Sequence, residues 1–86
     1  MKLQNNNFTI YEVEQLKEDF INEINNENEV VVDFENITKI DMSAIQLLLS
    51  LKKSCDEKNK GFEIKNIKEE VLDSFEITGT AYILGV

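Results

Sequence analysis

Two side chains with chemical potential stand two positions apart in this chain, the carboxylate of Asp41 and the hydroxyl of Ser43. They fall between a β-branched run, Val30-Val31-Val32, and a strongly apolar stretch, Ile45-Gln46-Leu47-Leu48-Leu49. That order predicts a buried strand, a short loop and a helix that opens at Asp41 or just beyond it. Ends of strands that feed helix N-termini are where open α/β sheets place their ligand or partner sites. Asp41 suits the N-cap, where a carboxylate accepts from backbone N–H groups of the first turn. Alternatively Ser43 caps and Gln46 reaches back, as in a Ser-x-x-Gln capping box. Capping alone accounts for both residues. The functional alternative is phosphorylation of Ser43: the fold would tolerate a phosphate at the positive end of a helix. Its charge of about −1.5 to −2 would meanwhile disrupt an apolar contact surface.

Such a surface is present in the pattern. At about 100° per residue, Ala44, Leu47, Leu48, Leu51 and Cys55 form an ordinary core-facing stripe on the helix. Met42, Ile45 and Leu49 form a second apolar patch, centred roughly 130° away. Either a neighbouring helix covers this patch or it lies exposed for a partner. The candidate partner-binding residues are therefore Lys39, Asp41, Met42, Ser43, Ile45 and Leu49.

Enzyme chemistry finds little to work with. The chain has no histidine, the commonest general base and metal ligand. One cysteine, Cys55, makes no zinc constellation and no internal disulfide, and its place on the core stripe predicts a buried, inert thiol. The glycines are Gly61, Gly79 and Gly85, so no phosphate-cradling loop can be assembled. A phospho-accepting receiver domain would need more acidic residues after its first strand and a lysine after its last. No catalytic residues, cofactor or metal are expected. Seventeen acidic against nine basic residues give a net charge of −8. Nucleic acid is a poor partner for such a surface, because phosphate backbones are bound by clustered Lys and Arg. No apolar run approaches the ~18 residues of a membrane span, and the first residues carry no secretory h-region. A cytoplasmic location is expected.

The elements that must position these residues alternate between strand and helix signals, which predicts a sheet flanked by helices. Residues 8–11, Phe-Thr-Ile-Tyr, read as a short strand, with an extended edge segment around Leu3. A helix over about 12–25 carries Val13, Leu16, Phe20 and Ile24 within a narrow arc, with Ile21 beside them. Asn25-Asn26-Glu27-Asn28 ends it. The run 29–34 reads as an interior strand covered on both faces. A helix over about 42–58 stops before Gly61. Residues 62–65 form the next strand, and a helix over about 67–77 turns Val71, Leu72 and Phe75 inward. The tail from Thr80 to Val86 fits either a short helix or a strand. No linker or repeat interrupts the 86 residues, so residues 1–86 are expected to form one domain.

Against known families, the chain resembles a STAS domain, the fold named for sulphate transporters and anti-sigma-factor antagonists. Phe8-Thr9-Ile10-Tyr11 followed by Glu14-Gln15-Leu16-Lys17 is similar to the family's opening strand and helix. Val31-Val32-Asp33-Phe34 resembles the strand before its signature loop, and Asp41-Met42-Ser43-Ala44-Ile45-Gln46-Leu47-Leu48-Leu49 resembles the signature itself. Gly61-Phe62-Glu63-Ile64 and Val71-Leu72 fit the strand and helix that follow. The resemblance implies an α/β fold with an about four-stranded, mostly parallel sheet and helices packed mainly on one side. It also implies a module without catalysis that binds a partner protein, often an anti-sigma factor that is also a serine kinase. In the family, phosphorylation just after the signature aspartate releases that partner. Here that position is Met42, which cannot accept phosphate, and Ala44 replaces the customary glycine. Ser43 is the only neighbouring hydroxyl. Position 42 thus favours a constitutive adaptor, in signalling, chemotaxis or lipid-transport machinery, over an anti-sigma-factor antagonist switched at Ser43 as a displaced acceptor.

Overall fold

A computed structural model describes all 86 residues. The order is β1 (Asn7–Phe8), α1 (Ile10–Asn26), β2 (Glu29–Asp33), β3 (Lys39–Ile40), α2 (Met42–Glu57), β4 (Gly61–Lys65), α3 (Glu69–Ile77) and α4 (Ala81–Leu84). All strand pairing is parallel, which requires a crossover helix between partners. The strands form two pairs, β1–β3 and β2–β4, rather than the single four-stranded sheet expected.

Backbone hydrogen bonding explains the division. Beside β2, the Leu3 N–H donates to the Asp33 carbonyl at 3.2 Å and the Asp33 N–H donates to the Met1 carbonyl at 2.8 Å. The expected edge segment around Leu3 is thus present, as a single bridge between Lys2 and Asp33. The chain then bends at Asn5 and Asn6 before pairing again as β1. At the bend the Asn36 side-chain amide, not a ladder N–H, donates to the Leu3 carbonyl at 3.2 Å.

The register places Val30 opposite Phe62 and Val32 opposite Ile64. Successive strand side chains alternate between faces. Val30, Val32 and Ile64 are buried, whereas Glu29, Glu63 and Lys65 on the other face are exposed. β2 is therefore covered on one face only, not on both, and Val31 on the open face is half-buried.

Phe8, Phe20, Phe34 and Phe75 are fully enclosed and run as a chain of aromatic contacts with centroids 6.0–6.3 Å apart. Each buries about 1.5–3 kcal/mol of transfer free energy. This chain joins β1, α1, the end of β2 and α3 into one core. From α2, Ala44, Leu48, Leu51 and Cys55 enter it as expected, while Leu47 stays half-buried. On α3, Val71 and Phe75 are buried and Leu72 half-buried. Ile21, expected beside the α1 stripe, is exposed.

Local interactions set three boundaries, the first of them against the sequence reading. Ile10 and Tyr11 belong to α1, not to a strand over 8–11, because Thr9 starts the helix. Its N–H and its hydroxyl both donate to the Glu12 carboxylate at 2.8 Å. α2 ends before Gly61 because Asn59 adopts a left-handed φ of 57° and the Lys60 N–H closes on the Cys55 carbonyl at 2.8 Å. Gly61 serves β4 instead: a Cβ there would meet the Glu29 side chain at 3.0 Å. The tail resolves into the short helix α4, whose Leu84 returns to the core.

Candidate functional site

β1 and β3 run side by side, and each feeds a helix at once, β1 into α1 and β3 into α2. Asp41 ties the two junctions together. Its Oδ1 accepts from the Ala44 N–H at 3.1 Å, capping α2. Its Oδ2 accepts from the Ile10 N–H, the first of α1, at 2.9 Å. One carboxylate therefore satisfies orphan donors on two helix N-termini. Ser43 caps neither helix; it lies half-buried in the first turn of α2.

The other expected partner-binding residues differ in position and in exposure, Leu49 standing two turns into α2. Lys39 is exposed at the start of β3, and Met42 is 49% exposed. Leu49 is half-buried against the core. Ile45 presents almost no surface, at 2% exposure. It forms the floor of a shallow hollow of about 220 Å³, bounded by Ile40, Asp41 and Met42 on one side and by Ser74, Ile77 and Thr78 on the other. Ile45 is thus enclosed and Met42 open, so the second apolar patch of α2 is split between core and surface.

Sequence reasoning missed three apolar residues here. Ile10 is 59% exposed, Tyr11 89% and Ile77 85%. The spacing Thr9-x-x-Glu12 is a capping-box signature that would have placed Ile10 and Tyr11 in an exposed first helical turn. Ile77 lies off the helical stripe set by Val71 and Phe75, a cue equally present in the sequence.

A second aspartate sits at the end of the other parallel pair. Asp33 Oδ1 accepts from the Glu35 N–H at 2.9 Å and from the Asn66 amide at 3.1 Å. The Asn66 hydrogen bond, then that of Glu35, hold its carboxyl below the ordinary value of 3.8, with Lys65 and Lys2 adding in the same direction. Elsewhere, burial and then the neighbouring Asp56 push the Cys55 thiol up, which suits a core residue rather than a nucleophile. At about 220 Å³ the hollow over Ile45 is smaller than the ~300–1,000 Å³ of small-molecule sites. It suits one anchoring side chain.

The family model for the STAS domain matches residues 5–85, nearly the whole chain, and the chain belongs to that family. STAS domains are in general binding or regulatory modules rather than catalysts. No curated protein matches the chain.

Proposed function

We propose that this STAS domain is a non-enzymatic adaptor that docks the β3–α2 junction on a partner protein. Lys39, Met42 and the accessible edges of Asp41 and Ser43 make the contact, and Ile45 and Leu49 support it from beneath. The exposed Met42 and Ile77, which line one hollow, and the exposed Ile10, whose N–H reaches Asp41, carry this reading. Exposed apolar residues scattered singly need no explanation, whereas a grouped set marks an interaction site. Met42 at the family's acceptor position argues that docking is constitutive.

The test compares Met42→Asp and Ser43→Asp with the wild type in quantitative capture from the protein's own cells, alongside thermal melting. Both charges would stand in the first turn of α2, where the helix dipole favours anions, so melting should change little. A partner held by the wild type should be lost from both variants, since an anion would have to be desolvated at the contact. A partner captured equally by all three would place the interface elsewhere. Stoichiometric phosphate on Ser43 in cells would replace the constitutive adaptor with a kinase-operated switch.

A further inference from the structure

The charges around the hollow define what kind of partner would fill it. The first ten residues of α2, Met42 to Leu51, carry no formal charge. The helices on either side of that neutral strip are acidic. On α1, Glu14 and Glu18 are exposed and fall within about 100° of arc with Ile10 and Tyr11. On α3, Glu70 and Asp73 share an arc of the same width with Ser74 and Ile77, the two residues that wall the hollow. α3 carries no basic residue at all. Against these four carboxylates stand Lys39 and, two turns further along α1, Lys17. The hollow is thus walled on one side by the acidic α3, while the carboxylates of α1 lie across α2 from it, where α1 packs along Leu47, Ser50 and Leu51.

We infer that the occupant is an amphipathic basic helix: a Leu- or Phe-like side chain enters the hollow over Ile45, and flanking Lys or Arg residues face Glu70 and Asp73. This rests on the docking surface proposed above and adds the chemistry of the partner. Complementary potentials of this kind set specificity and association rate more than raw affinity. A second copy of this chain fits poorly, because it brings a net charge of −8 and the same acidic α3. An anionic lipid surface or a nucleic acid is disfavoured on the same ground.

The probes are three helical peptides of equal length, built from Leu with Lys, Leu with Gln, and Leu with Glu, plus a Lys/Ser peptide without apolar residues. Each is titrated into the isotopically labelled full chain and followed by NMR. The Leu/Lys peptide should shift the amides of Ile10, Met42 and Ile77, and its affinity should fall severalfold between about 50 and 500 mM salt as charges are screened. Ile77→Ser, at a position too exposed to affect folding, should weaken it at least tenfold. Glu70→Lys combined with Asp73→Lys should weaken the Leu/Lys peptide and strengthen the Leu/Glu one. If the Lys/Ser peptide shifts the same amides as strongly, plain charge attraction is at work and the inference falls. If the Leu/Gln peptide binds those residues equally well, the cationic partner falls while the docking surface stands. If none of the peptides moves those amides, both fall.

Discussion

Asp41 and Asp33 sit at comparable places, each at the end of a strand in one of the two parallel pairs, yet they end in different surroundings. Asp41 divides its two oxygens between the first N–H groups of two helices, and apolar residues stand exposed around it. Asp33 concentrates a turn N–H and the Asn66 amide on one oxygen, with Lys2 and Lys65 nearby. The Glu35 carbonyl beside it accepts from the Lys68 ammonium, so charge surrounds this end. Both carboxylates perform the same local task, satisfying backbone donors where a strand stops. The carboxylate therefore does not distinguish the proposed docking end from the other. What differs is the coat, Met42, Ile10 and Ile77 at one end and lysines with carboxylates at the other.

The core common to both ends sets the upper limit of any effect. Leu48 is completely buried, and Leu48→Ala should cost about 2–5 kcal/mol, read from denaturant unfolding. A loss below about 1 kcal/mol would mean that α2 is not anchored where the packing places it. Asp41→Ala comes next. It removes the acceptor of the part-buried Ala44 N–H and of the exposed Ile10 N–H, which water can satisfy, and should cost about 1–2 kcal/mol. Asp33→Ala should cost clearly less, since its donors lie in exposed turns that water can satisfy. Equal losses from the two substitutions would erase the distinction drawn between them.

Cys55 sharpens the picture from inside the core. Its sulfur is fully enclosed on α2 and its thiol is held in the protonated form. Alkylation by iodoacetamide under native conditions should therefore be slow and should accelerate in Leu48→Ala in step with unfolding. Rapid labelling of the wild type would show that α2 opens locally and would weaken the case for a rigid docking surface.

Much of this was legible in the sequence because the signals were local and strong. The stripe Ala44, Leu47, Leu48, Leu51 and Cys55 marked the inner face of α2, although Leu47 is only half-buried, and the signature Asp41 to Leu49 pointed to the family. The β-branched run 30–32 marked the central strand, though one of its faces lies open. The misreadings occurred where two local signals competed. Phe8-Thr9-Ile10-Tyr11 has strand composition, but Thr9 with Glu12 is a helix start, and the capping interaction prevailed. Periodicity placed Ile45 and Met42 on one patch; only tertiary packing decides that Ile45 is covered and Met42 is not. The double role of Asp41 was beyond reach for the same reason, since its second bond joins residues 31 positions apart.

The smallest expected effect is the pH response of the charged end. The Asn66 amide and the Glu35 N–H hold the Asp33 carboxyl below its ordinary 3.8, so the native state favours the ionised form more than the unfolded chain does. The sign follows from linkage: a depressed native value contributes stability that is fully present above the unfolded value. That contribution disappears as pH falls from about 4 through the lower native value, and none remains once both states are protonated. The other acidic residues also titrate in this range, so the wild-type curve alone is uninformative. The comparison is with Asp33→Asn, which keeps the size of the side chain and removes its charge. Unfolding curves between about pH 7 and pH 2 should show the variant less stable near neutrality, with the two curves converging once pH has fallen below about 4 and through the lower native value. Asn66→Ala should reproduce part of that convergence, because the leading cause of the depression is its amide. Parallel curves for wild type and Asp33→Asn across the whole range would mean that the carboxylate at this end is merely solvated, and the contrast with Asp41 would then rest on the apolar coat alone.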